Sequence, residues 1–483
     1  MRYIIKQTGL RLIRETKKVL VVPEYIFLIF AVSFGTLFLF LIPPMQVPDE
    51  QVHMYKSYQT SDGLLWPTAK VVNGEERYGS EIPKNLVSFE QDFRNPVAGN
   101  PEATMNTDLY EKYLKTPLHR RDTKFITNEA ANTYSFILYI PQAIGISTAK
   151  IFDASPLLLV WLGRLGNLIF WISIMMLCLR LLPFAKWAFV VLALNPVTLM
   201  LAVSLSGDVS SIAYAYLFTT LVFVLISTTD SRRQRKIALL LLAVSSLVAL
   251  SKPTSLALLP LMLLAPYTVL NRGKIKAYSI GIVTTGAVIG LGVLWNLLIS
   301  HMARIAAHIQ MPGADPSGQL RAILVDPAYA LEVVIKNYIT VDPGTYGDAV
   351  LSSYMGVFGW LDTYLPLWVQ ILYIIVLGMA ILYQFGRGPV YRISYKLSFL
   401  FVYLVILAGS ILAMYLNFSP VGSGRIGGVQ GRYFIPGSAV LLGIFNSSRK
   451  LITNYSKEYL TTIVMGTAAV LCFAAVEIAR RYY

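Results

Sequence analysis

Apolar stretches close to twenty residues long recur from one end of this chain to the other. Each is near the ~20 residues a helix needs to cross a bilayer. Of the 483 residues, 55% are hydrophobic and only 14% are charged, against roughly a quarter charged in a soluble domain. Lipid offers no partner to a free backbone N–H or C=O, so a spanning chain is helical or a closed barrel. Runs this long and unbroken are helices. The reading is an all-α integral membrane protein.

The net charge of +15 would point to nucleic acid in a soluble protein. Here it is explained by the bias of Lys and Arg toward cytoplasmic loops, and no nucleic-acid partner is expected. Basic residues collect at Arg2, Lys6, Arg11, Arg14, Lys17 and Lys18, at Arg180 and Lys186, and in "SRRQRK" (231–236), "NRGKIK" (271–276), "GRGPVYRISYK" (386–396) and "SSRKLITNYSK" (447–457). Taken as cytoplasmic, they predict a multi-pass protein with its N-terminus inside. About eleven crossings follow, over roughly 25–42, 163–182, 187–205, 209–228, 237–251, 253–270, 278–300, 367–385, 397–417, 433–446 and 459–479.

The chain then divides into a basic N-terminus (1–24), an N-terminal membrane module (25–300) holding a large external loop (43–162), a second external loop (301–366), and C-terminal helices (367–483). The first apolar run is too long for a signal-peptide core and reads as a permanent anchor. The apolar segment 134–152 either spans or lies in the interface; the charge pattern favours the interface. Cys178 and Cys472 fall inside apolar runs, so neither a disulfide framework nor a Cys metal site is expected.

With the topology set, charges at the outer membrane face need a reason, because ionisable groups at membrane depth are costly. In "VPDEQVH" (47–53), a helix starting after Pro48 puts Asp49, Glu50 and His53 on neighbouring positions. Asp49 is either a helix cap, worth ~1 kcal/mol, or a general base, with or without a metal. Asp208 in "SLSGDVSS" poses the same choice. Lys252 in "ALSKPTS" and Arg164 at the start of the second crossing also sit against the charge bias. "SPVGSGRIGGVQGRYFIP" (419–436) joins five glycines to Arg425 and Arg432 at a helix start. It reads as a flexible turn with snorkelling arginines, or as an anion site of open backbone and guanidinium forks. Trp360 and Tyr364 in "GVFGWLDTYLP" (356–366) fit an interfacial aromatic belt, or a sugar-stacking platform with Asp362 bonding hydroxyls. His119, His301 and His308 carry no role.

"VPDEQVH", "SGDVSS", "SKPTSL", "FGWLDTYLP" and "QGRYFIP" occur in order from about 40 to 440. In these motifs the chain resembles an uncharacterised family of bacterial multi-spanning proteins, marked by PDExxH and QGRYxxP, of the GT-C glycosyltransferase superfamily. The resemblance implies a GT-C-like bundle with interfacial helices in its first external loop. It implies transfer of a sugar from a polyprenyl-phosphate donor to a glycan or cell-wall polymer outside the bacterial cytoplasmic membrane, with inversion. Asp49 and Glu50 would serve as base or metal ligand. His53, Asp208, Trp360 and Asp362 would orient the acceptor, and Lys252, Arg425, Gln430, Arg432 and Tyr433 would hold the donor phosphate. A divalent ion, Mg or Mn, would fall at Asp49, Glu50, His53 and Asp208. A transporter or flippase of lipid-linked glycans is the alternative.

Overall fold

The computed structural model describes residues 22–264, 274–311, 313–338, 346–452 and 456–483. The basic N-terminal cluster and the start of the cluster at 271–276 lie outside the described residues. Among the described residues, seven helices are long and apolar enough to cross a membrane: Pro23–Leu41, Pro156–Leu181, Asp208–Ser227, Tyr278–Leu298, Leu367–Gln384, Ile393–Asn417 and Ser456–Tyr482.

The other four expected crossings take different forms. Over 187–205 the chain makes two buried helices, Lys186–Ala193 and Pro196–Ala202. Pro196 has no N–H to continue a ladder and forces Asn195 out of helical geometry. The Asn195 side chain then accepts from Val197 N at 2.9 Å and Thr198 N at 3.2 Å, while its Nδ2 donates to the Tyr354 carbonyl at 3.0 Å. Broken backbone of this kind is tolerated at membrane depth where protein surrounds it. The run after Lys252 begins as a 3-10 helix, Pro253–Leu264, with Pro260 inside it. The crossing placed at 433–446 is a 3-10 turn, Gly431–Phe434, leading into a short helix, Ile435–Leu441. The helix Ser231–Ala249 forms, but its first turns hold Arg232, Arg233, Arg235 and Lys236.

Asp208–Ser227 is the axis of the bundle, nearly all buried, packed on Pro156–Leu181, Ser231–Ala249 and Ile435–Leu441. Pro23–Leu41 packs against Pro156–Leu181 and the C-terminal helix, and leaves Leu28, Ile29, Val32 and Phe40 exposed, as lipid-facing side chains are.

The segment 134–152 is a 3-10 turn, Phe136–Tyr139, followed by the helix Ile140–Ile151. Twelve residues reach ~18 Å at 1.5 Å per residue, short of a hydrocarbon core. Ile140, Ile144 and Ile151 are exposed, while Lys150 ties the other side to Asp62 at 2.7 Å.

The chain is not wholly α. Thr68–Val72, Glu75–Pro83 and Thr123–Thr127 form an antiparallel sheet in that order. Its first hairpin turns at Asn73-Gly74, both at positive φ (54° and 85°), the pair that a tight two-residue turn favours. A smaller hairpin, Val357–Phe358 with Thr363–Tyr364, carries Trp360 and Asp362 at its tip.

That tip anchors the C-terminal helix. Arg481 donates to Asp362 Oδ2 at 2.8 Å and to the carbonyls of Val97, Asn100 and Ala103. Both side chains are buried. Removing one member of such a pair strands the other charge, at a cost of ~3–5 kcal/mol. Arg481→Ala is therefore expected to lower the thermal midpoint in lipid markedly, with cleavage by added protease appearing first in the 97–103 segment.

Candidate functional site

The apolar helix Pro23–Leu41 is followed by Pro43-Pro44, which cannot continue it, and the next helix is Glu50–Ser61. The connecting segment is tied at nearly every residue. Arg164, wholly buried, donates from Nε to Glu50 Oε1 at 2.8 Å and from Nη2 to Oε2 at 2.6 Å. Two more of its hydrogens reach the carbonyls of Ile42 (2.7 Å) and Pro43 (3.0 Å). Glu50 also accepts from Met45 N at 3.0 Å and Leu205 N at 3.1 Å. Trp360 Nε1 donates to the Met45 carbonyl at 3.0 Å, and Gln46 Nε2 to the Phe93 carbonyl at 2.7 Å.

Asp49 stands at the N-cap position with φ 64°, and its carboxylate makes no bond to the helix. It accepts instead from Arg432 Nη2 at 3.0 Å. The carboxylate therefore makes no capping bond, and the side chain is 50% exposed. Asp208 pairs with Lys252 Nζ at 2.6 Å, and Arg432 Nη1 lies 3.9 Å from its second oxygen. Lys252 sits over the rings of Tyr134 and Tyr433 at 5.4 Å and 5.3 Å. Burial opposes its charge, but Asp208 together with Tyr134 and Tyr433 outweighs that, and its pKa rises above the ordinary lysine value.

Arg432 is held from behind. Gly431 N donates to Ser353 Oγ at 2.7 Å, and a Cβ there would meet Tyr354 N and Val350 O at 2.2 Å each. Only glycine lets the loop approach that closely. Although Arg432 is buried, its Nε and Nη1 meet no hydrogen-bond acceptor of good geometry among the described residues, and Gln430 Oε1 meets no donor. Buried guanidinium donors without partners are uncommon and costly.

His53 completes the cluster. Its Nδ1 bonds the Tyr139 hydroxyl at 2.8 Å and its ring stacks on Tyr134 at 6.2 Å. Burial lowers its pKa, against the upward pull of Asp208 and Asp49.

Asp49, His53, Asp208, Lys252, Arg432 and Tyr433 thus converge from four distant parts of the chain. Glu50 lies beneath them, sealed against Arg164. Trp360 and Asp362 hold the 43–49 segment and the C-terminal helix rather than line the cluster. Arg425 is exposed, with its amide bonded within its own loop to Ser423 Oγ. Sequence reasoning missed Tyr134 and Tyr139; their position where a polar segment turns apolar, in "TYSFILYIP", was the only available signal.

A divalent ion does not fit the four residues proposed for it. Glu50 is saturated by Arg164 and two amides, and Asp208 is committed to Lys252. Among the described residues no group of three His, Cys, Asp or Glu side chains is suited to a metal.

Fold and site together define a multi-pass helical membrane protein that gathers two carboxylates and two cations at one end of its bundle. The chain belongs to the family described as "Predicted membrane protein (DUF2142)", whose match runs over residues 32–441. No curated protein and no solved structure matches it.

Two outcomes test this construction. Glu50→Ala strands Arg164 and should cost ~3–5 kcal/mol of stability, while Glu50→Leu with Arg164→Met should recover much of it, read as thermal midpoints in lipid. Lys56, on the same helix, is buried with Asn132 Oδ1 as its partner at 2.8 Å, and burial lowers its pKa to about 7. The neutral amine is favoured in the fold. Stability is therefore lost as pH falls from the unfolded value near 10.5 through about 7, at up to ~1.4 kcal/mol per pH unit. Lys56→Met should flatten that slope in denaturation curves measured between pH 6 and 10.

Proposed function

We propose that this protein is a GT-C type glycosyltransferase that moves a sugar from a polyprenyl-phosphate donor to a glycan or wall polymer, at the extracytoplasmic face of a bacterial cytoplasmic membrane. The observation that carries the reading is Arg432: a buried guanidinium whose Nε and Nη1 meet no hydrogen-bond acceptor of good geometry among the described residues, beside Lys252 and next to a half-exposed carboxylate. Free donors of this kind suit phosphate oxygens, which take a guanidinium fork.

The cluster as it stands is balanced, with Asp49 and Asp208 against Lys252 and Arg432. A donor phosphate binding at Arg432 competes with Asp49 for the same guanidinium and releases that carboxylate toward the outside. Asp49 then takes the proton of the acceptor hydroxyl as its oxygen attacks the anomeric carbon. The C–O bond to phosphate breaks with its electron pair, and the charge growing on the leaving polyprenyl phosphate is met by Arg432 and Lys252. Asp208 keeps Lys252 charged and in place. A single displacement inverts the anomeric centre. Glu50 serves as a positioning residue.

A flippase of lipid-linked glycans is the rival reading, and the helix break at Asn195–Pro196 is the one feature that favours it, since transporters use interrupted helices. The test is turnover by the purified protein in lipid vesicles with a polyprenyl-phosphate sugar and candidate acceptors. Polyprenyl phosphate should be released, with Asp49→Asn lowering kcat by about 10²–10⁴ and donor binding retained. Arg432→Gln should weaken donor binding instead. Movement of labelled donor between leaflets with no release would establish the flippase.

A further inference from the structure

The short helix Ile140–Ile151 carries a groove along its exposed face. Ile140, Ile144, Ser147, Thr148 and Ile151 fall on one stripe, at the spacing of a single helix face. With Leu65 and Phe136 they wall an open groove of about 410 Å³ against the end of Glu50–Ser61. Ile144 and Ile151 are 62% and 78% exposed.

Four hydroxyl side chains stand in this wall, and each spends its hydrogen on a backbone carbonyl. Thr60 Oγ1 donates to Lys56 O at 2.8 Å and Ser61 Oγ to Tyr58 O at 2.6 Å. Ser147 Oγ donates to Ser61 O at 3.4 Å and Thr148 Oγ1 to Ile144 O at 2.9 Å. The groove therefore presents methyl and methylene surface, which suits hydrocarbon and offers little to a sugar.

It begins beside the charged cluster. Thr60 lies seven residues past His53, on the same helix face and ~10 Å along the axis. Ile140 directly follows Tyr139, whose hydroxyl bonds His53 at 2.8 Å. Phe136 stands one 3-10 turn before Tyr139, and Tyr134 lies beside Lys252. Two chain segments thus lead from the cluster to the groove. From Ile140 it runs a further ~16 Å to Ile151.

Resting on the transferase reading above, we propose that this groove receives the phosphate-proximal part of the donor's polyprenyl chain while the phosphate sits at Arg432 and Lys252. A lipid phosphate held by those cations needs an adjoining apolar path for its tail, and the groove supplies one. Its volume is at the small end of ligand sites, in keeping with a short stretch of one chain. The bilayer is as apolar as the groove, so burial by itself gains little. The groove acts by fixing the direction of the chain, and with it the placement of the phosphate against Asp49.

The probe is a polyprenyl monophosphate bearing a diazirine within its first four isoprene units, added to the full-length protein in vesicles and photolysed. Adducts should map to the 136–151 peptide, be displaced by unlabelled polyprenyl phosphate, and persist in excess phosphatidylglycerol. Ile144→Trp fills the groove from an exposed position and should remove most of that labelling. Ile169→Trp, an exposed position on Pro156–Leu181, should not. In the transfer assay a donor with two isoprene units should show a KM about tenfold above that of a long-chain donor, and Ile144→Trp should erase that preference.

Adducts scattered over other exposed apolar surfaces, equal displacement by phosphatidylglycerol, or labelling and chain-length preference unmoved by Ile144→Trp would each overturn this inference, while observed transfer would keep the transferase. Labelling in the groove with no transfer from any donor would instead remove the transferase and leave the groove as the seat of a polyprenyl chain.

Discussion

The pair of Arg164 and Glu50 is the interaction on which the rest of the site depends. A fully buried guanidinium and carboxylate are tolerated only when nearly all their hydrogen-bonding capacity is used, and here it is. Glu50 receives two bonds from Arg164 and two from backbone amides, and Arg164 spends its remaining donors on the carbonyls of Ile42 and Pro43. One ion pair thereby joins the end of the first membrane helix, the start of the next helix, the helix Pro156–Leu181 and the turn before Asp208. Both acidic residues of the cluster inherit their positions from it.

Above that knot, the cluster shows how a low-dielectric setting can hold four charges by pairing them. Each carboxylate has a cation within contact, and tyrosine rings flank the cations, where the ring quadrupole favours positive charge. What is left over among the described residues is donor capacity on Arg432 and a ring nitrogen on His53. Surplus donors in a balanced, half-closed site are what an anionic ligand needs, because an unpaired buried donor gains most from being met. Asp49 is the one carboxylate of the cluster with access from outside.

Much of the fold could be read from apolar run length, since seven runs form helices of spanning length close to where hydropathy places them. The departures share one cause. Asn195-Pro196, Pro253, Pro260 and Pro436 interrupt runs that are apolar enough to span; Asn195-Pro196 and Pro436 are buried among other helices, while Pro253 and Pro260 are exposed. Run length records how well a segment tolerates an apolar surround; it does not say whether that surround is lipid or protein. The small sheet in the first external segment was missed although Asn73-Gly74 is a strong turn signal, because the strands around it are largely exposed and lack an apolar alternation.

Within the site, the sequence by itself determined which residues were out of place: charges at helix ends beside hydrocarbon, and a glycine-rich loop bearing arginines. It also determined that Asp49 and His53 would be neighbours, since spacing along a helix is local geometry. Only the tertiary structure decided roles among them. Glu50, adjacent to Asp49 in sequence, points into the protein and meets Arg164 from 114 residues away, while Asp49 turns outward to Arg432 from 383 residues away. Arg425 and Arg432, seven residues apart, part company in the same manner, one exposed and one buried. Sequence spacing fixes the direction of a side chain from its own backbone, but which charge it meets there is set by packing of the whole bundle.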